Sequence, residues 1–190
     1  MAEGKLIVIG GSAGSLAPLL KIAALFHTGM NISALVVMHR PPSEDSVLSE
    51  VLEAKTEFDV KEVDDKDQLK PGVLYIAPAD YHVLVEKNGF LTLDDSEKVN
   101  FSRPSIDVTF ESAVQAYGKS LVCVLLSGAN ADGAAGLRKA KEKGAVVIVQ
   151  DPALAEFAFM PQKALELVEA DMILDNNNVA KIRDYLQVSR

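Results

Sequence analysis

Short runs of β-branched and aliphatic residues alternate along this chain with segments whose apolar residues recur every three or four positions. Runs of the first kind are typical of buried strands, and the periodic segments are typical of amphipathic helices. The predicted strands are KLIVIG (5–10), SALVVMH (33–39), FDVKEV (58–63), LVCVLLS (121–127), AVVIVQ (145–150) and MILD (172–175). The predicted helices cover 15–26, 43–54, 105–118, 133–144, 160–170 and a last segment from Val179.

The middle of the chain has a different pattern. Three strand-like runs follow one another there without a helix between them: GVLYIAP (72–78), YHVLVEK (81–87) and GFLTLD (89–94). Asn88-Gly89 separates the last two, and such a pair is typical of a two-residue hairpin turn. We therefore predict an antiparallel insert at this point of the chain.

Strands that alternate with helices indicate right-handed crossovers and a parallel sheet. The pattern predicts an α/β fold: a doubly wound, mostly parallel sheet with helices on both faces and an antiparallel hairpin insert. A chain of 190 residues is long enough for one domain, which we expect to span 1–190. Ser105 is the expected N-cap of the 105–118 helix, and Ser43 that of the 43–54 helix.

Charge and composition narrow the classes of partner and compartment. The chain has 19 Lys and Arg against 27 Asp and Glu, a net charge of -8. Binding to nucleic acid or to an anionic membrane is not expected, because both need concentrated positive charge. Neither a signal peptide nor an apolar run of transmembrane length is apparent, so we expect no membrane insertion and a cytoplasmic protein.

Metal binding is not predicted either. The single cysteine, Cys123, lies in an apolar run and is expected in the core, and one cysteine fits a reducing compartment. His27, His39 and His82 are scattered along the chain without the spacing of zinc ligands. The expected metal and cofactor content is therefore none.

Ligands of doubly wound sheets bind beyond the carboxyl ends of the strands, so candidate functional residues are expected in the segments that follow strands. The first, VIGGSAGS (8–15), has Ser12 where a dinucleotide-binding turn needs its second glycine. It matches the G-x-S-x-G turn that exposes a serine hydroxyl above a sheet. Taken alone, Ser12 is equally compatible with a nucleophile and with a simple helix N-cap.

Two more polar residues follow other predicted strands: His39 after 33–39 and Asp132 after 121–127. Each alone is more typical of a structural role, a strand-end histidine or an N-cap aspartate. Together with Ser12 they supply the nucleophile, base and orienting carboxylate of acyl transfer at one edge of the sheet. Their order along the chain, Ser then His then Asp, differs from that of the α/β-hydrolases.

Several ordered blocks give the chain a resemblance to the catalytic domain of chemotaxis-type protein-glutamate methylesterases. They are VIGGSAGS, VVMHRPP, LYIAPADYHVLVE, FSRPSIDVTFESA, LLSGANADGAAGL and VQDPALAEFAFMPQKAL, which together extend from about Lys5 to Ala170. The resemblance implies that Ser12 is the nucleophile, His39 the base and Asp132 its aspartate partner. It also implies that His82 lies near the active site, where we expect a contact with substrate.

The implied substrates are γ-methyl esters of glutamate on the cytoplasmic helices of methyl-accepting chemoreceptors. Receptor glutamines are further expected substrates, by deamidation, and no cofactor is implied. The backbone N–H groups of Ala13 and Ala129 are the expected oxyanion donors. Arg103 either faces the acidic surroundings of the substrate or belongs to a helix entry capped by Ser105, and we include it as a candidate substrate-binding residue.

The chain departs from the family pattern in two places. The family commonly has Thr and then two glycines after the nucleophile, where this chain has Ala13, Gly14 and Ser15. It often has Met at the position of Ala129. We expect the missing threonine hydroxyl to loosen the hydrogen bonding around His39, with effects on rate and substrate range more than on reaction class.

Many family members carry a receiver domain before the catalytic domain, whereas the first predicted strand here starts at Lys5. The expectations are a constitutive domain, control by a separate regulatory protein, or a fragment of a longer protein. The main rival to an enzyme is a non-catalytic module: a nucleotide- or anion-binding sheet, or a weakened family member that docks on a receptor.

Overall fold

The computed structural model describes residues 4–41 and 45–187 of the chain. The strands in this part are β1 Lys5–Gly11, β2 Ile32–Met38, β3 Asp59–Glu62, β4 Val73–Ile76, β5 His82–Val85, β6 Leu91–Asp94, β7 Leu121–Leu125, β8 Val146–Gln150 and β9 Met172–Leu174. The helices are α1 Leu16–Ala23, α2 Asp45–Glu53, α3 Ile106–Tyr117, α4 Ala134–Glu142, α5 Phe159–Leu167 and α6 Ile182–Leu186, with 3₁₀ turns at Gly118–Ser120 and Val179–Lys181.

Seven of the described strands form one sheet in the order β3-β4-β2-β1-β7-β8-β9, and every neighbouring pair is parallel. The chain first adds strands on one side of β1 and later on the other side. The direction of winding thus changes at β1, where doubly wound sheets place their ligands. This arrangement confirms the predicted fold class.

Side chains that alternate along the strands build a core on each face of the sheet. In β1, Leu6 and Val8 point to one face, whereas Ile7 and Ile9 point to the other. The first face packs against α3, α4, α5 and the β5-β6 hairpin, and the second against α1, α2 and α6. Both sets are almost fully buried, as expected for central parallel strands covered by helices on both faces.

The predicted antiparallel insert is shorter than the sequence suggested. β4, from the 72–78 run, joins the main sheet as a parallel neighbour of β2 and β3, so its assignment to the insert was wrong. β5 and β6 do pair antiparallel, in a sheet of their own. Their loop is also not a two-residue turn: the Gly89 N–H bonds the Glu86 carbonyl at 2.9 Å, and Gly89 alone of the Asn88-Gly89 pair is left-handed, at φ 80°.

The helix that leads from the middle of the chain to β7 begins as predicted. Ser105 is the N-cap of α3 and its hydroxyl accepts a hydrogen bond from the Val108 N–H at 3.4 Å. Gly118 follows the last residue of α3, Tyr117, as expected. The predicted cap of the α2 region, Ser43, lies outside the described residues. The longest helix in the described ranges, α3, has 12 residues, far from the about 20 that a bilayer-spanning helix needs.

Candidate active site

Ser12 lies directly after β1, at the carboxyl edge of the sheet, on a turn that several hydrogen bonds close. Its N–H donates to the carbonyl of Ser127 at 2.9 Å, which ties the turn to the segment after β7. Its carbonyl accepts the Ser15 N–H at 3.1 Å and the Ser15 hydroxyl at 2.6 Å. The backbone of Ser12 is therefore fixed, while its side chain remains partly exposed.

Gly14 is needed for this turn to approach its neighbours. Its φ is +74°, and a Cβ at this position would lie 2.6 Å from Cβ of Glu156 and 2.8 Å from Oγ of Ser127. Ser127 Oγ instead donates to the Ala13 carbonyl at 2.8 Å and accepts from the Phe157 N–H at 2.9 Å. The glycine thus lets one serine hydroxyl hold two loops together beneath Ser12.

His39 follows β2, the neighbour of β1, and contacts Asp132 from the segment after β7. Nε2 of His39 lies 2.8 Å from Oδ2 of Asp132, and the His39 N–H donates to the Gly11 carbonyl at 3.2 Å. Because a carboxylate only accepts hydrogen bonds, Nε2 carries the proton in the neutral ring. Nδ1 is then the nitrogen available to take a proton from another group.

Asp132 is fully buried and heavily hydrogen-bonded. Donors from six described residues reach its two oxygens: His39, Asn100, Ser105, Ile106, Asp107 and Gly133. Burial alone raises the pKa of a carboxyl group, but the hydrogen bonds from His39 and from the Ile106 and Asp107 N–H groups outweigh it. The pKa of Asp132 is therefore held below its ordinary value, and the side chain is a stable anion.

The structure brings His39 and Asp132 into direct contact but does not join Ser12 to them by a hydrogen bond among the described residues. Nδ1 of His39 faces the hydroxyl of Ser102 instead, at 3.4 Å. Ser12 and His39 nevertheless line the same cavity, of about 270 Å³, together with Met38 and Arg40. Its remaining walls are the turn at 13–14 and apolar side chains of Leu16, Val47, Leu48 and Val51.

The two predicted oxyanion donors, Ala13 and Ala129, are both exposed at this edge of the sheet. Their segments are held together, since Ser12 N–H binds Ser127 and the Gly128 N–H donates to the Phe157 carbonyl at 3.1 Å. No described residue accepts a hydrogen bond from the N–H of Ala13 or of Ala129. Ala13 lines the cavity that contains Ser12 and His39.

His82 does not occupy the substrate-contacting position that we expected. It is 1% exposed, its Nδ1 accepts the Ser105 N–H at 3.0 Å, and its Nε2 donates to the Glu97 carbonyl at 2.9 Å. Both ring nitrogens are thus used by backbone groups. His82 thus holds the backbone of Ser105, and the Ser105 hydroxyl in turn donates to Oδ1 of Asp132 at 2.9 Å. His82 therefore supports Asp132 indirectly, through Ser105.

Arg103 is likewise engaged within the protein. Its Nε and Nη2 bind Oδ1 of Asp80 at 3.2 and 2.8 Å, and its Nη1 binds the carbonyls of Asp95 and Ser96. These bonds fasten the loop after β6 to the turn before β5. They favour the helix-entry alternative for the 103–105 segment over a direct contact with substrate.

Four residues of the site were missed by sequence reasoning. They are Asn100, Ser102, Asp107 and Asn130, which surround His39 and Asp132. The Asn130 side chain accepts the Asp132 N–H at 3.0 Å and donates to Ser102 Oγ at 3.3 Å. The signal available was position along the chain: Ser102 and Asp107 lie within the FSRPSIDVTFESA block, Asn100 directly precedes it, and Asn130 precedes Asp132 by two positions.

Asp107 is the second buried carboxyl group here. Burial raises its pKa to about 6, helped by the charge of Asp132 and opposed by the hydrogen bond from the Gly136 N–H.

Within the described ranges no three His, Cys, Asp or Glu side chains are grouped to hold a metal ion. A larger groove, of about 550 Å³, lies between the hairpin and α3, away from Ser12 and His39.

A doubly wound α/β sheet with serine, histidine and aspartate at its winding switch has the side chains and the architecture of a serine hydrolase. The model of the CheB methylesterase family matches residues 7–182, so this chain belongs to that family. The family resemblance predicted from the sequence is thereby confirmed.

Individual relatives agree with this assignment. A Leptospira interrogans protein named "Putative protein-glutamate methylesterase/protein-glutamine glutaminase" is 41% identical over 93% of this chain and 91% of its own length. A Thermotoga maritima protein-glutamate methylesterase/protein-glutamine glutaminase is 36% identical over 90% of this chain and 51% of its own length. The crystal structure of the Thermotoga maritima CheB methylesterase catalytic domain superposes with a TM-score of 0.88 at 34% identity, covering 97% of both chains.

Proposed function

We propose that this chain is a serine hydrolase that removes the methyl group from glutamate γ-methyl esters on the cytoplasmic helices of methyl-accepting chemoreceptors. The names of its relatives support the reaction, with glutamine deamidation as a second activity. The observation that carries the proposal is the His39–Asp132 contact of 2.8 Å, beside the Ser12 turn at one edge of the sheet.

In the proposed first step, Ser12 Oγ attacks the ester carbonyl and Nδ1 of His39 takes its proton. Asp132 holds the imidazole by Nε2 and stabilises the imidazolium that forms. Ser12 and Nδ1 are not yet hydrogen-bonded, which is usual before a substrate aligns the catalytic groups. The N–H groups of Ala13 and Ala129 bind the oxyanion, a contribution of about 3 kcal/mol for one such donor.

The intermediate then collapses in two balanced steps. His39 returns its proton to the departing methoxide, so methanol leaves and a glutamyl ester of Ser12 remains. A water molecule, deprotonated by His39, cleaves that ester and regenerates the serine, with glutamate as product. With a glutamine side chain the same sequence releases ammonia in place of methanol.

We further propose that the chain forms one catalytic domain, acts in the cytoplasm and is controlled by a separate protein. We treat 1–190 as one catalytic domain because the family match spans most of it. A cytoplasmic location follows from the proposed substrate. We also propose control by a separate regulatory protein, which could bind over Ser12 because that residue is partly exposed.

The test is methanol release from a methylated receptor cytoplasmic domain. Ser12→Ala should lower the rate by about 10⁴-fold or more, and a serine-directed fluorophosphonate should label the wild type but not the variant. Ser120→Ala, in the 3₁₀ turn before β7 at the opposite edge of the sheet, is the matched control. Near-wild-type release by Ser12→Ala would remove the proposal, and binding without release by the wild type would favour a docking module.

A further inference from the structure

Phe101 has an unusual position close to the catalytic groups. Its side chain is 98% exposed, although phenylalanine is among the residues most often buried. It lies between Asn100, which donates to Asp132, and Ser102, whose hydroxyl faces His39. An aromatic ring thus stands free in solvent, one residue from two contacts with the candidate active site.

The backbone of this loop is held in a conformation that bulky residues avoid. Asn100 and Phe101 have φ values of 51° and 62°, both left-handed. Asparagine tolerates that region, but phenylalanine adopts it at a cost, and such outliers concentrate at functional sites. The folded chain therefore accepts two unfavourable features at Phe101, an exposed ring and a strained backbone.

The loop is also firmly anchored. Val99 and Ser102 exchange backbone hydrogen bonds of 3.1 and 2.9 Å, which close it. The Asn100 amide donates to Asp107 at 2.9 Å and to Asp132 at 3.2 Å. Because Asp132 is a carboxylate anion, which only accepts, the NH₂ group of Asn100 must face it. Phe101 is therefore presented on a preorganised loop, which limits the entropy lost when a partner binds.

Other apolar side chains near the site are exposed as well. Val99 and Tyr81 are partly exposed, and Tyr81 adjoins Asp80, whose N–H bonds the Arg103 carbonyl. Leu16, which lines the cavity with Ser12, is 42% exposed, and Phe157, whose N–H bonds Ser127 Oγ, is 41% exposed. Several exposed apolar side chains thus lie on segments next to the candidate active site, a composition typical of a protein-binding rim.

We infer that Phe101 is a docking residue for the protein substrate, contacting an apolar side chain on the helix that carries the glutamate methyl ester. This inference rests on the proposed function. A reacting glutamate has to reach inward to Ser12, so a ring outside the cavity meets the substrate surface beside it. On a helix, residues three or four positions from the glutamate lie on that same face.

The experiment compares Phe101→Asn with the wild type on a methylated receptor cytoplasmic domain, measuring KM and kcat separately. We expect KM to rise about tenfold, the effect of losing an aromatic anchor, with kcat within about twofold. Fluorophosphonate labelling of Ser12, which needs no docking, should keep its rate. The unfolding midpoint should not fall, because asparagine tolerates the left-handed backbone, and Phe101→Trp should retain the low KM.

Leu167→Asn is the matched control, because Leu167 is an exposed apolar residue (50%) at the last position of α5. The opposite end of α5, at Met160, is the end that contacts Gly128 near the site. An unchanged KM in Phe101→Asn would overturn the inference, as would a labelling rate that falls together with affinity. A loss of self-association without a change in KM would also overturn it, by assigning Phe101 to a contact between copies of the chain. Absence of methanol release by the wild type would instead refute the proposed function.

Discussion

The Asp132 side and the Ser12 side of the site differ in how firmly the protein holds them. Asp132 is fully buried, and donors from six residues in the described ranges reach it. Ser12 is partly exposed, and its hydroxyl has no hydrogen-bond partner among those residues. The charge that would orient the base is thus built in, whereas the nucleophile is left free until a substrate aligns it.

This difference has an energetic reason. A buried carboxylate is costly to form unless hydrogen bonds replace the water it loses, so its partners have to be present before substrate arrives. A neutral hydroxyl at the surface has no such requirement. Substitutions on the Asp132 side should therefore affect both stability and rate, whereas those at Ser12 should affect rate alone.

The largest effect on the Asp132 side is expected from Asp132→Asn. In either orientation the new NH₂ group faces at least two donors that now bind Asp132 oxygens. The variant also favours the wrong tautomer of His39, so kcat should fall by about 10³- to 10⁴-fold. The free energy of unfolding should fall by about 2–4 kcal/mol. Urea titrations of the variant and the wild type measure this difference.

Asp184→Asn, at an exposed residue of α6, is the control for removal of one carboxylate. A kcat within tenfold of the wild type for Asp132→Asn would contradict the orienting role of Asp132. It would also remove the contrast with Ser12, because neither side would then depend on a built-in charge.

The sequence allowed Ser12, His39 and Asp132 to be placed together because each follows a strong apolar run. The buried parallel sheet of β1, β2 and β7 is recognisable from those runs, and its carboxyl edge follows from the parallel order. Sequence could not place His82, because its partners are backbone atoms of Glu97 and Ser105. Only the packed fold shows that these atoms use both ring nitrogens.

The direction of β4 was missed for a similar reason. Its run, 72–78, is followed closely by β5, which favours a hairpin on local grounds. Its actual partners are β2 and β3, and the pairing with β2 comes from a distant part of the chain. The left-handed pair at Asn100 and Phe101 was not foreseen either, and one of the carboxylates that Asn100 binds, Asp132, lies 32 residues further along the chain.

A smaller effect is expected from Ser105→Ala, which tests whether the support behind Asp132 matters beyond folding. The hydroxyl donates to Oδ1 of Asp132 at 2.9 Å and also caps α3. Losing the cap and the donor should lower the free energy of unfolding by about 2 kcal/mol. With five donors left, kcat should fall only about tenfold, measured as methanol release under saturating substrate.

Ser120→Ala again serves as the control for loss of a hydroxyl group. Ser105→Thr should restore both properties in part, since threonine can also cap a helix. A fall in stability with an unchanged kcat would show that Ser105 supports α3 alone, and the Asp132 side would then be less tightly coupled to the reaction than its hydrogen bonds suggest.

The smallest effect concerns Asp107, the second carboxyl group on the Asp132 side. Its pKa is raised to about 6 by burial, with Asp132 and Glu111 adding negative charge, although Glu111 is paired with Lys139. The folded protein therefore holds the Asp107 proton to higher pH than the unfolded chain does. Stability from this group is fully present below the ordinary aspartate pKa and is lost as the pH rises through about 6.

Asp107→Asn has no carboxyl group to titrate in this position, so its stability should not show this decrease with pH. Between about pH 5 and 7 the free energy of unfolding of the wild type should fall by about 1 kcal/mol relative to the variant. Urea titrations at several pH values measure the difference, with Asp184→Asn, an exposed residue of α6, as the control for one charge. A difference that stays constant across this range would mean that Asp107 is ionised as easily as in the unfolded chain. The tight hydrogen bonding on the Asp132 side would then stabilise both of its carboxylates, and Asp132 would not be the favoured anion.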